Sequence, residues 1–300
     1  MKKALFLILL CTIYLSVMAQ SNIRLNHYWE NPYYITPASI NNQYIAIFSM
    51  ASRKQWVNFE GAPVTLLATA TTYIEDWHTQ LGLKIFEDKI GYTSTTNAAL
   101  SFAYAVTLND TWRLHLGIAG SYQNLSFDIS QIVLTTPEDI EAYRNLTPEK
   151  DFNSDFGIEL ASKSFRFGAA SQNIVSLFDK KNKQQVNTNF LYAAYRSYTE
   201  DPIDFGIGTC GIQYSNMFQM ECYASAYFKA GQTYDKFQIG AFYRTPSEMG
   251  IILGINFSKS LSLSYSYDYN TSAVKRSSIG THELMLTYRI NKGVECHSCF

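Results

Sequence analysis

Residues 260–269 read Ser260-Leu261-Ser262-Leu263-Ser264-Tyr265-Ser266-Tyr267-Asp268-Tyr269, a strict alternation of polar and apolar side chains. Successive side chains of an extended chain point to opposite faces, so the leucines and tyrosines share one face and the serines and Asp268 the other. The last such stretch repeats the pattern, with His282, Leu284, Leu286, Tyr288 and Ile290 set against Glu283, Thr287 and Arg289. Trp112, Leu114, Leu116, Ile118 and Tyr122 alternate likewise with Arg113, His115, Gly117 and Ser121. About ten residues of this kind are what a tilted strand needs to cross a bilayer.

Working outward, fourteen candidate strands follow one another: 43–52, 64–74, 80–87, 96–107, 112–123, 154–162, 164–172, 187–198, 203–214, 218–228, 236–244, 249–257, 260–269 and 281–290. The alternation slips in 187–198 and 203–214. Links after even-numbered strands are short, and most of those after odd-numbered strands are longer, up to residues 124–153. An even count with short turns at one end and long loops at the other is the pattern of a bacterial outer-membrane barrel whose termini both lie in the periplasm. The expected fold is therefore all-β: an antiparallel transmembrane β-barrel of about 14 strands with a short N-terminal periplasmic segment. In the longest loop Thr136-Pro137-Glu138-Asp139 reads as a helix start, leaving a short helix over the mouth or a plain surface loop as alternatives.

The ends and the composition agree with export. Lys2 and Lys3, the apolar run Ala4 to Val17 and the small residue Ala19 form a secretory signal. The division expected is 1–19 signal peptide, 20–42 N-terminal segment, 43–290 barrel and 291–300 periplasmic tail. Beyond the signal no run of about eighteen apolar residues offers a helical span. Charged residues make up only 16% of the chain, below the roughly 25% usual for soluble domains. Aromatics reach 15%, which suits interfaces where a ring sits in lipid and its polar tip in water. A net charge of −1 speaks against nucleic-acid binding, which uses a basic footprint.

Catalytic and metal chemistry find little support. His115, expected inward on strand 5, and His282 lack an accompanying nucleophile motif, so no enzyme activity and no cofactor is expected. Cys296-His297-Ser298-Cys299 has a metal-like spacing without a second ligand pair, and a tail disulfide or a partner contact suits it better than zinc. The inward-facing residues Lys84, Arg113, Glu159, Arg166, Glu221, Arg244, Asp268, Glu283 and Arg289 mix both signs. Opposed charges in a narrow lumen brace it, because each desolvated charge needs a partner.

Three motifs remain. Asn31-Pro32-Tyr33-Tyr34-Ile35-Thr36-Pro37-Ala38 precedes the first strand, and its prolines impose a rigid, extended or turning course. Arg53, Gln55, Trp56, Phe59, Gly61, Ala62 and Pro63 follow the first strand, and Asp88 with Gly91 follows the third. With these residues the chain resembles the PorP/SprF family of Bacteroidota outer-membrane proteins. The family pattern is an Asn-Pro…Asn-Pro-Ala segment, then Arg-x-Gln-Trp-x-x-Phe-x-Gly-Ala-Pro, then Asp-x-x-Gly. The first motif departs from it, with Thr36 before Pro37 and Ser39-Ile40 after Ala38.

The resemblance implies an accessory barrel of the type IX secretion system in the cell outer membrane, supporting secretion or surface attachment of particular cargo proteins. Its implied partners are outer-membrane lipid, secreted cargo and other secretion components. The alternative is an outer-membrane channel or hydrophobic-solute transporter. Within the motif, Arg53 and Trp56 could form a cation–π platform for a partner, or could hold the loop and close the barrel mouth. Cys210 and Cys222 flank a candidate hairpin. A three-residue loop Ser215-Asn216-Met217 would set them opposite each other on the lipid side, with a bulge near Gly208. A disulfide and two unpaired thiols are both open.

Overall fold

The computed structural model describes residues 25–128, 148–178, 186–229, 231, 234–271 and 278–292. Fourteen antiparallel strands close into one barrel in chain order. They are β1 (Tyr44–Lys54), β2 (Val64–Ile74), β3 (Thr79–Ile90), β4 (Thr93–Thr107), β5 (Arg113–Phe127), β6 (Glu149–Ala161) and β7 (Phe165–Gln172). The circuit continues through β8 (Thr188–Arg196), β9 (Ile203–Tyr214), β10 (Met217–Lys229), β11 (Asp235–Arg244), β12 (Glu248–Asn256), β13 (Leu261–Asn270) and β14 (Thr281–Asn291). β1 pairs with both β2 and β14, so no edge is left.

The burial pattern inverts that of a soluble protein. Glu159, Arg244, Glu221 and Glu283 are almost wholly buried, while Leu100 and Leu191 are about 70% exposed (69% and 71%). Along β13 the serines and Asp268 face the lumen and Leu261, Leu263, Tyr265 and Tyr267 face outward, as the alternation predicts. Aromatic rings collect near the barrel ends: Trp112 stacks on Phe165 with centroids 6.4 Å apart, and Phe165 meets Tyr195 at 4.8 Å. Such rings suit the headgroup level.

Fourteen strands lie between the roughly eight whose side chains alone can fill a barrel and the roughly 16–18 that enclose an aqueous channel. The lumen therefore needs more than its own side chains to fill it. The N-terminal segment, expected as a short periplasmic stretch ahead of the barrel, supplies that filling: residues 25–42 run through the lumen, and Leu25, Asn26, His27, Tyr28, Ile35, Thr36 and Ala38 are all buried there. The signal sequence, the helix start at 136–139 and the tail cysteines lie outside the described residues.

The hairpin joining β9 to β10 corrects one expectation. Tyr214 pairs with Met217, so the turn has two residues, Ser215-Asn216, with Ser215 in the left-handed region (φ 53°). A register one residue away from the expected one moves every side chain to the other face. Cys210 now lies opposite Glu221 and faces the lumen, Cys222 lies opposite Thr209 and faces out, and both thiols are free. The pairing runs unbroken from Tyr214 to Ile203, with no bulge near Gly208. The physical reason is a local apolar lining: Cys210 and Ile212 pack with Phe190, Tyr192 and Ala170 around Tyr28 and Ile35 of the N-terminal segment. Mass mapping of unreduced protein is expected to show Cys210 and Cys222 as free thiols, with Cys222 but not Cys210 alkylated by a lipid-soluble maleimide before unfolding. A Cys210–Cys222 cross-link would refute this register.

Candidate functional site

The N-terminal segment folds locally because its prolines and short turns satisfy part of its backbone. Two 3-10 turns, Asn26–Trp29 and Pro32–Tyr34, are closed by Asn31 N–H to His27 O (2.9 Å) and Ile35 N–H to Pro32 O (3.0 Å). Several of its remaining backbone and side-chain groups are met by inward side chains of the barrel. Gln172 Nε2 donates to the carbonyls of Tyr34 and Ile35 (both 3.0 Å), Gln80 Nε2 to Ser39 O (2.7 Å) and Arg166 to Ile40 O (3.2 Å). Asn31 Nδ2 donates to Thr69 Oγ1 at 2.9 Å. Backbone inside a membrane barrel must be satisfied internally, and these side chains do so.

Glycines make room for it. A Cβ on Gly117 would lie 2.4 Å from Pro37 C and Ala38 N, and one on Gly157 would lie 2.2 Å from Thr36 Oγ1. At Gly82 it would meet the Tyr33 hydroxyl at 2.4 Å, where that hydroxyl bonds Ser101 Oγ (2.7 Å). Gly within a strand often marks such close backbone approach. That signal was present in the sequence, but the partner it made room for was not apparent from it.

One charged network anchors the start of the segment. The Glu283 carboxylate accepts from Asn26 N–H (2.8 Å), His27 N–H (3.0 Å), His27 Nδ1 (2.7 Å) and Arg53 Nη1 (3.0 Å). Arg53 also reaches Asp268 (2.7 Å), which receives Asn26 Nδ2. Arg244 donates to Glu221 (2.5 Å), Glu248 (3.1 Å) and Asn26 Oδ1 (3.0 Å), and Trp29 Nε1 donates to Glu221 (2.9 Å). His115 faces the lumen on β5 and meets Glu159 at 3.1 Å, with Arg166 and the Tyr192 hydroxyl on the same carboxylate.

The other two motifs meet at one mouth of the barrel, the end carrying the turns after odd-numbered strands. Gln55 N–H bonds Pro63 O (2.9 Å), closing the loop after β1 on itself. Val57 and the Ile279–Gly280 backbone exchange bonds of 2.9 and 3.1 Å, which tie that loop to the approach to β14. Gly61 and Gly91 both hold left-handed backbone (φ 70° and 57°), and Gly91 N–H bonds Gly61 O at 3.0 Å. Asp88 is buried and accepts from Thr65 Oγ1 at 2.5 Å. Arg53, Asp88, Pro63 and the Asn31–Pro37 segment are thus internal, and Arg53 does not stack on Trp56. Phe59 is 53% exposed and meets the partly exposed Trp56 edge-on, at a centroid distance of 6.5 Å.

The family profile described as "Type IX secretion system membrane protein PorP/SprF" matches residues 17–288. No curated protein matches the chain. Among solved structures, a deletion mutant of the TodX monoaromatic hydrocarbon channel aligns at 9% identity, covering 92% of this chain and 96% of that one with a TM-score of 0.50. Omp33 of Acinetobacter baumannii, also 9% identical, covers 84% and 100% with a TM-score of 0.49. At such identities the likeness is one of fold alone. With the alternating strands, the closed barrel and the profile match over nearly the whole length, the chain belongs to the PorP/SprF family of type IX secretion system membrane proteins, a non-enzymatic β-barrel of the outer membrane.

Proposed function

We propose that this barrel is an accessory component that supports the secretion or surface attachment of particular cargo proteins, working through its mouth and not through its lumen. The observation that carries the reading is the obstructed lumen: residues 25–42 are bonded to inward side chains of β2, β3, β4, β7, β10, β11, β13 and β14. A channel or solute transporter would need that space. The contact is assigned to the mouth where Trp56 and Phe59 project from a loop pinned on three sides, with the start of β1 and the end of β14 on the periplasmic side and this mouth at the cell surface. Rigid aromatic side chains on a held loop contribute contact area at low entropic cost.

The test is deletion of the gene followed by measurement of surface-displayed proteins and outer-membrane permeability. Loss of particular surface proteins with unchanged permeability is expected, and in intact cells a membrane-impermeant maleimide is expected to label Glu60→Cys but not Asp110→Cys. Normal display together with lost uptake of a small solute would move the chain to the transporter class.

A further inference from the structure

The opposite half of the lumen is open. A cavity of about 800 Å³ lies between the N-terminal segment and the turns Ser162–Ser164, Thr199–Glu200 and Ser258–Lys259, all of which follow even-numbered strands. It is a blind cup, floored by Trp29 to Tyr33 and open at that end. Its volume falls in the roughly 300–1,000 Å³ range of small-ligand sites.

We propose that this cup binds an anionic oligosaccharide. One wall is an aromatic ladder built from the N-terminal segment, β10 and the turn after β8. Tyr28 packs on Trp29 with centroids 4.5 Å apart, and Trp29 packs on Tyr223 at 4.2 Å. Further out the Arg196 guanidinium lies 3.7 Å from the Tyr227 ring centre and 4.9 Å from that of Tyr198, and it is ion-paired with Asp235. The ladder is seated by glycines: a Cβ on Gly208 would lie 2.3 Å from Tyr223 and 3.0 Å from Trp29, and one on Gly206 would lie 3.1 Å from Tyr227. The facing wall carries hydroxyls and amides, among them Thr69, Thr71, Ser262, Ser264 and Asn256.

A sugar ring suits both walls. Its C–H face packs on an aromatic ring, and its hydroxyls can add hydrogen bonds to the polar wall, whereas a purely apolar solute would strip water from that wall and give no hydrogen bond in return. The charge of the lining selects among sugars. It contains six cationic side chains (Lys163, Arg166, Arg196, Lys229, Lys259 and Arg289) against four carboxylates, and with Glu159 behind Arg166 counted the excess is one positive charge. Several of these cations are held in place: Lys229 by Asp204 (3.0 Å), Arg289 by Ser262 Oγ (2.9 Å) and Arg166 by Glu159 (3.0 Å). A pre-oriented cationic lining contributes affinity because little freedom is lost on binding.

The experiment uses the full chain purified in detergent, titrated with an alginate tetrasaccharide and with neutral maltotetraose, and read by calorimetry and tryptophan fluorescence. Saturable binding of the uronate, with weaker binding of the neutral sugar, is expected. Tyr227→Ala is expected to weaken uronate binding about tenfold, the equivalent of one lost ring contact. Tyr227→Phe keeps the ring and is expected to bind as the parent does. Should Tyr227→Ala not assemble, reduced acrylamide quenching of Trp29 in the parent protein on uronate addition gives the same answer. Absence of saturable binding, equal affinity for both sugars, or unchanged binding by an assembled Tyr227→Ala variant overturns the proposal. None of these outcomes depends on the secretion role.

Discussion

Deletion of residues 25–40 is expected to convert a silent barrel into a conducting one. In planar bilayers the parent protein should show no discrete current steps, because the segment obstructs the lumen and is bonded to both its charged and its apolar linings. Removing it leaves a ring of fourteen strands whose inward side chains cannot reach one another across the middle. The exposed carboxylates and guanidinium groups would then be hydrated, and water with ions would follow. Conductance steps from the deletion variant, in preparations that keep the barrel's resistance to unfolding in cold detergent, are the expected result. Steady conductance from the parent protein would show that the segment leaves an open path.

The largest expected effect of a single substitution is at Glu283. This carboxylate is 1% exposed and is the common acceptor for two backbone N–H groups, the His27 imidazole and the Arg53 guanidinium. Glu283→Ala leaves a buried cation and three buried donors without their acceptor, and breaking a buried pair from one side typically costs about 3–5 kcal/mol. A large drop in the urea midpoint of barrel unfolding is expected, together with intermittent conductance as the start of the segment comes loose. Glu283→Gln keeps one acceptor oxygen and should fall between the two. An unchanged midpoint in Glu283→Ala would mean that Asp268 alone can hold Arg53 and Asn26.

Much of this architecture is legible from alternation. Each of the fourteen candidate strands has a counterpart in the barrel. The residues read as inward, such as Lys84, Glu159, Glu221, Arg244 and Glu283, are buried in the lumen. Strand ends are less legible where strands outrun the bilayer. β4 begins at Thr93 and β5 runs to Phe127, through Thr93-Ser94-Thr95 and Asn124-Leu125-Ser126, where no apolar face is needed on the outside. The slip in 203–214 has a different origin: an apolar Cys210 and Ile212 face the lumen because an apolar part of the N-terminal segment meets them there. Two opposite apolar faces cannot be told apart by alternation alone.

The same limit hid the role of the first motif. Asn31, Pro32 and Pro37 announce a rigid segment, but nothing local says that the hydrogen-bond partners of residues 25–42 sit on eight different strands. The second motif reads as a shaped loop, and Gly61 within it holds left-handed backbone, as Gly91 of the third motif does. The division of the motif into a buried Arg53 and a projecting Phe59 follows from strand parity at the end of β1 and from the loop beyond it.

The pairing of Arg53 with Glu283 also constrains the order of events in assembly. These residues are 230 positions apart and face each other across the β1–β14 seam. Contacts between such distant parts of a chain form late, because their loop-closure entropy is met only when most of the sheet exists. A closed ring admits residues 25–42 only along its axis, whereas an open sheet presents the partners of that segment directly. Settling on the curling sheet before the seam closes is therefore the expected order. The last pair of strands then zips over cargo already stowed, and Glu283 fastens both in one step.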